Sequence, residues 1–126
     1  MKFKILTLLW MLLIFVSSSI PSYEFPQVSF WGWAKLIHLI YFGVFCYLIR
    51  NVLQEQKSFP ALARSPYLFA ILFVALYGMT DEVHQLFTPG RHPHVTDVLI
   101  DTLGGCLYVV GAKAVELFRI KRARAV

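Results

Sequence analysis

Cysteine is scarce in this chain. Cys46 and Cys106 are the only two among 126 residues, and each lies inside an apolar run. That excludes a disulfide framework and leaves both as small, polarizable packing residues. Serine is missing from the most polar stretch, residues 81–101, and Thr88, Thr96 and Thr102 stand in no elbow or triad context. Nucleophilic catalysis through a hydroxyl is therefore not indicated. Neither His-Glu-x-x-His nor any cysteine–histidine zinc spacing occurs, so the spacing implies no metal and no cofactor. The net charge of +5 is not gathered into a basic recognition element beside stacking aromatics, which argues against nucleic acid as a partner. Internal repeats and low-complexity segments are absent too.

What the chain has is apolar sequence. Its hydrophobic share is 58% and its mean hydropathy +0.63, above the roughly 45–50% of ordinary soluble domains. A single domain of this length could not hide so much apolar surface in water, so the fold class expected is an all-α integral membrane bundle. Four transmembrane helices are expected, at about 5–20, 34–53, 66–87 and 96–114, with a basic tail at 115–126. The first follows Lys2 and Lys4 and ends in Ser17–Ser19, features that also describe a cleavable signal peptide. A retained helix is preferred because further spans follow and an even number fits the charges best. Phe30, Trp31 and Trp33 suit the headgroup layer. The apolar part of the third span, 67–79, is shorter than the roughly 20 residues a crossing needs. That helix is therefore read on through Asp81, Glu82, His84 and Gln85 toward Phe87. Thr88-Pro89-Gly90-Arg91 is a turn signal.

The basic residues set an orientation. With both termini cytoplasmic, Lys2, Lys4, Arg50, Lys57, Arg64, Lys113, Arg119, Lys121, Arg122 and Arg124 lie inside, and only Lys35 and Arg91 outside. That is a strong positive-inside bias. It places all four histidines and Asp81, Glu82, Asp97 and Asp101 in the outer half.

These ionisable groups are the candidates for chemistry, because charge at a membrane edge costs free energy to desolvate. Asp97, Asp101, Gly104, Tyr108 and Gly111 form one helical stripe, with the glycines read as points of close helix approach. Asp97 is either a helix cap or a functional group; Asp101, one turn deeper, needs no cap. Tyr77, Asp81 and His84 share a face, while Gly78, Glu82 and Gln85 share the next one. On that geometry Asp81 and Glu82 should not both point into the bundle. His84 is either a solvated interfacial residue or a base polarised by a carboxylate. Lys35 reads as a snorkelling end residue, and His38, deeper, should find a partner among Asp81, Asp97 and Asp101. Arg91 would either lock the loop to a carboxylate or grip a phosphate. His92 and His94, either side of Pro93, look like loop surface.

The run Asp81-Glu82-x-His84-Gln85-x-Phe87-x-Pro89-Gly90-Arg91, then Asp97-Val98, then Asp101-Thr102-Leu103-Gly104, resembles the signature of the VanZ-like family of small bacterial membrane proteins. Lys35-x-x-His38 adds to the match, which spans most of the chain from the second helix on. Departures are Asp101 where members carry Asn or Asp, Tyr108 for a common small residue, Phe42 for a tyrosine, and His92 and His94 for small or polar residues. The resemblance implies a bacterial inner-membrane protein of about four helices. The family's name-giving member is associated with teicoplanin resistance, a phenotype that is not transferred to this chain.

The resulting expectation is an envelope protein whose extracytoplasmic polar site takes an amphiphilic or phosphate-bearing lipid. Arg91, Gln85, Asp97, Asp101 and Lys35 would bind it, with His84, Glu82, Asp81 and His38 as candidates for proton exchange. Its partners would be membrane lipids, including a lipid-linked envelope intermediate. One alternative is a hydrolase or transferase acting on such a precursor. The other is a non-catalytic scaffold subunit, which should pair every acid and hold no ligand-sized cavity.

Overall fold

The computed structural model describes residues 1–24 and 32–125. Its elements are helix α1 (Lys2–Ser19), a 3-10 turn (Ser22–Glu24), α2 (Gly32–Glu55), a short α3 (Pro60–Arg64), α4 (Pro66–Gln85) and α5 (Val95–Arg124). Phe30 and Trp31, expected in the headgroup layer, lie outside the described residues. The protein is all-helical, and α1, α2, α4 and α5 are each long and apolar enough to cross a membrane.

Helix boundaries follow local chemistry. Pro60 and Pro66 occupy first-turn positions, where the missing N–H removes no hydrogen bond. At the far end of α4, Phe87 N–H and Thr88 N–H turn back onto His84 and Gln85 carbonyls, and Gly90 takes φ +73°. The α4 helix therefore stops at Gln85, short of Phe87. The tail expected as a separate segment from 115 continues α5 to Arg124. After Gly111 it contains neither glycine nor proline, and Glu116 ties it sideways by accepting from Tyr67 and pairing with Arg50 and Lys113.

Consecutive long helices run antiparallel, so both termini lie at one end of the bundle and the 81–101 stretch at the other. Helix α2 is central and packs on α1, α4 and α5. The core is small: Ile14, Phe42, Phe45, Cys46, Leu53, Ala70 and Val74. Outward, by contrast, Leu8, Leu68, Leu76, Leu99 and Val110 are all exposed, the inversion expected where the surroundings are hydrocarbon. With no hydrophobic drive between helices in lipid, close packing and polar ties hold the bundle. Trp10 Nε1 donates to the Tyr41 carbonyl at 2.9 Å and the Tyr77 hydroxyl to the Met11 carbonyl at 2.8 Å, fixing α1 to α2 and α4.

At Gly104 the backbones of α2 and α5 come close together. A Cβ on Gly104 would lie 2.2 Å from the Leu39 carbonyl oxygen and 3.2 Å from the Gly43 nitrogen. Gly111 meets nothing within 4 Å. The expectation that both glycines of the α5 stripe admit a neighbour therefore holds for Gly104 and fails for Gly111, which is exposed. Tyr108 packs edge-on to Tyr47 at 5.8 Å where a smaller residue was the alternative.

Candidate functional site

The polar groups of α2, α4 and α5 converge at the end away from the termini. His38 Nδ1 lies 3.0 Å from Asp101 Oδ1, and Asp101 is fully buried. Its approach depends on Gly78, because a Cβ there would lie 2.9 Å from Asp101 Oδ2. Phe42, one turn below His38 on α2, is buried under the imidazole with the two rings nearly parallel. Of the partners open to His38, the fold selects Asp101.

Asp81 and Glu82 are both buried, at 4% and 7% exposure, against the expectation that one would face water. The reason is that α4 has a different neighbour on each side at this level. Asp81 Oδ2 accepts from Ser18 Oγ of α1 at 2.9 Å and from Gln85 Nε2 at 3.0 Å. Glu82 Oε2 accepts the His94 backbone N–H at the start of α5, at 2.9 Å. Gln85 thus works with Asp81, one turn before it, rather than with Glu82. Glu82 Oε1 and Asp101 Oδ2 are buried without a hydrogen-bond partner among the described residues. An unmet buried polar atom costs about 1–3 kcal/mol, more when charged.

A second group surrounds the first. Lys35 Nζ lies 3.6 Å from Asp97 Oδ1 and 3.4 Å from Thr96 Oγ1, so it carries a specific ion pair in addition to any snorkelling. Asp97 is in the first turn of α5 and not its N-cap, which is His94. Its carboxylate still suits the positive end of the helix dipole. His84 is drawn away from the acids: it stacks on Phe15 at 4.4 Å, and its Nε2 lies 2.9 Å from Ser19 Oγ. His92 is exposed, as expected of a loop surface, and the His94 side chain is exposed while its backbone serves Glu82.

Arg91 has a use that neither of its two readings named. Its Nε donates to the Ile20 carbonyl at 3.2 Å and its Nη2 to the Ser17 carbonyl at 3.1 Å, while Thr88 Oγ1 donates to the Ser18 carbonyl. These carbonyls belong to the C-terminal end of α1, which otherwise leaves orphan acceptors, and a cation there also meets the negative end of the helix dipole. The Thr88–Arg91 turn is the cap of α1. Burial lowers the Arg91 pKa from its usual value, Asp81 and Glu82 oppose that shift, and the guanidinium stays charged.

Ser17, Ser18 and Ser19 are the site residues that sequence reasoning missed. In the sequence they stand only as the small residues closing the first apolar helix, a feature shared with cleavable signal peptides. Three consecutive serines closing an apolar helix, opposite a carboxylate-bearing one, were the available sign.

Cavities lie beside the cluster and at the far end. An apolar groove of about 380 Å³ runs along the α2–α5 seam, lined by Leu39, Ile40, Gly43, Val44, Gly104 and Tyr108. It starts one residue below His38. A polar cavity of about 540 Å³ sits near the termini, between Arg50, Arg64, Tyr67, Lys113 and Glu116.

A family model described as VanZ/LLP1 matches residues 3–118. The chain belongs to the VanZ/LLP1 family. No curated protein and no solved structure matches it. The VanZ/LLP1 match takes in all four long helices, including α1 with its serines, so the segment before the Lys35–His38 pair is part of the family unit. It also covers every polar group described above. The chain is a multi-pass, VanZ-like membrane protein.

Proposed function

We propose that this VanZ-like protein binds an amphiphilic, phosphate-bearing lipid of the bacterial cell envelope at the His38–Asp101 end of its bundle. The carrying observation is one seam with two characters. The apolar α2–α5 groove begins immediately below His38 and Asp101, so a lipid lying in it would bring its headgroup to the polar cluster. Lys35 and Arg91 supply positive charge at the rim, and Asp81, Asp97, Asp101 and Gln85 hold the surrounding groups in place. The positive-inside bias assigns this end to the extracytoplasmic face of the inner membrane. Native mass spectrometry of protein purified from its own membranes tests the reading, comparing wild type with Lys35→Gln. A defined lipid adduct should accompany wild type and be lost from the variant at an unchanged melting temperature. Bulk lipid alone, in equal amount on both proteins, would overturn it.

A second reading is a hydrolase or transferase acting on a lipid-linked envelope precursor. It is favoured by the His38–Asp101 contact, in which a carboxylate orients an imidazole for proton exchange. His38, with Glu82 and Asp81 nearby, would carry it; His84, turned toward Phe15, is poorly placed. Release of phosphate or a transferred group from such a precursor, abolished in His38→Gln, would separate this reading from binding alone. The scaffold reading is disfavoured because it predicts no ligand-sized cavity, and the α2–α5 groove holds about 380 Å³.

A further inference from the structure

The inner cluster gathers three carboxyls around one imidazole. Asp81, Glu82 and Asp101 are all buried. Lys35 pairs with Asp97 at the rim, and Arg91 directs two donors to α1 carbonyls. One ring nitrogen of His38 and one carboxylate oxygen each from Asp81 and Glu82 lie within 4.8 Å of one another.

Proximity of acids would not by itself identify a ligand. The unpartnered oxygen on Glu82 is the second observation. Glu82 is only 7% exposed, its Oε2 is pinned by the His94 N–H, and its Oε1 has no donor among the described residues. That oxygen cannot swing to water without giving up the bond that fixes the start of α5. The His38–Asp101 contact is the third. When Nδ1–H donates to a carboxylate, Nε2 keeps its lone pair, and metal-ligating histidines are commonly held in this way.

We propose that His38, Asp81 and Glu82 form a site for one divalent cation, with Asp101 orienting the imidazole. The mixed nitrogen and oxygen donors suit a first-row ion such as Mn²⁺ or Zn²⁺ better than Mg²⁺ or Ca²⁺, which favour all-oxygen shells. Tetrahedral donors about 2.1 Å from zinc lie roughly 3.4 Å apart, so a separation of up to 4.8 Å requires the side chains to close by up to about 1.4 Å. Three protein donors leave coordination positions open for water or a phosphate oxygen. An anionic headgroup could then approach a site rich in carboxylates. That last step rests on the lipid reading; the cation site does not.

The test uses tag-free full-length protein in detergent, stripped with EDTA and dialysed, then titrated with Mn²⁺, Zn²⁺ and Co²⁺, with Mg²⁺ for comparison. Wild type should hold one equivalent of Mn²⁺ or Zn²⁺, and Co²⁺ should give a visible spectrum characteristic of nitrogen and oxygen ligation. Glu82→Gln and His38→Gln should lose stoichiometric binding. Asp101→Asn should weaken it by about tenfold or more through the second shell, and Glu55→Gln, at the other end of the bundle, should bind as wild type. If a ligand variant fails to fold, the wild-type stoichiometry and the Co²⁺ spectrum still decide. No bound ion on wild type, a spectrum without nitrogen ligation, or equal binding by folded ligand variants would each overturn the site. Protein that binds one cation but retains no defined lipid sinks the headgroup reading alone. Protein that retains the lipid without a cation sinks the metal site alone.

Discussion

Ser18 illustrates how much a single side chain decides at this end of the molecule. Its Oγ donates to Asp81 and its carbonyl accepts from Thr88, so one residue joins α1 both to the acid and to the turn that follows α4. Ser18→Ala removes one of the two donors seen on Asp81 Oδ2 and leaves Gln85. Since removing one partner of a buried hydrogen bond costs about 1–3 kcal/mol, we expect a loss of roughly that size in denaturant-monitored stability. Ser19→Ala, on an exposed hydroxyl beside His84, should change it by under about 0.5 kcal/mol. Equal effects would show that the Asp81 contact is not special. Arg91 belongs to the same scale. A guanidinium was expected from the motif, but its acceptors are main-chain carbonyls, which no motif names.

At the scale of the element, two of the three glycines of α5, Gly104 and Gly111, share one sequence stripe and differ in surroundings. Gly104 faces the Leu39 backbone, where a methyl group has no room, and Gly111 faces open space. Gly104→Ala should push α2 from α5 and destabilise by about 1–3 kcal/mol, the usual cost of overpacking. Gly111→Ala should stabilise by up to about 1 kcal/mol, the helix-propensity gain. Thermal unfolding in detergent of the two variants side by side checks this, and the same sign for both would refute the packing account. The existence of the four long helices was legible because apolar length is a one-dimensional property. Which glycine touches a neighbour was not, since the stripe gives a face but not how far the partner helix follows it. The extension of α5 through the basic tail was missed for a related reason: Glu116 meets Tyr67 of α4 and Arg50 of α2 across the bundle.

For the whole molecule, antiparallel packing places both termini at one end and the polar cluster at the other, and the charge bias predicts a cytoplasmic side for the termini. Replacing Cys46 and Cys106 by alanine and introducing one cysteine in turn at Glu24 and at Arg122, both exposed, allows the orientation to be read. An impermeant maleimide added to intact cells should label position 24 and leave position 122 unlabelled until the membrane is opened. The reverse pattern would place the cluster on the cytoplasmic side and remove the outer-leaflet lipid from consideration.

The sequence by itself determined the all-helical class, the four long apolar helices and the family signature, because each of these follows from composition, apolar run length and a local motif. Only the tertiary structure decided who meets whom. It drew Asp101 to His38, turned His84 toward Phe15, buried Asp81 and Glu82 against different helices, and committed Arg91 to the end of α1. Those pairings join residues more than 60 positions apart, apart from the 12-residue reach from Glu82 to His94. A metal-ligand set split between α2 and α4 has no linear spacing to recognise. Its partners are fixed by helix rotation and by the room that Gly78 and Gly104 leave, which are properties of packed surfaces and not of the chain.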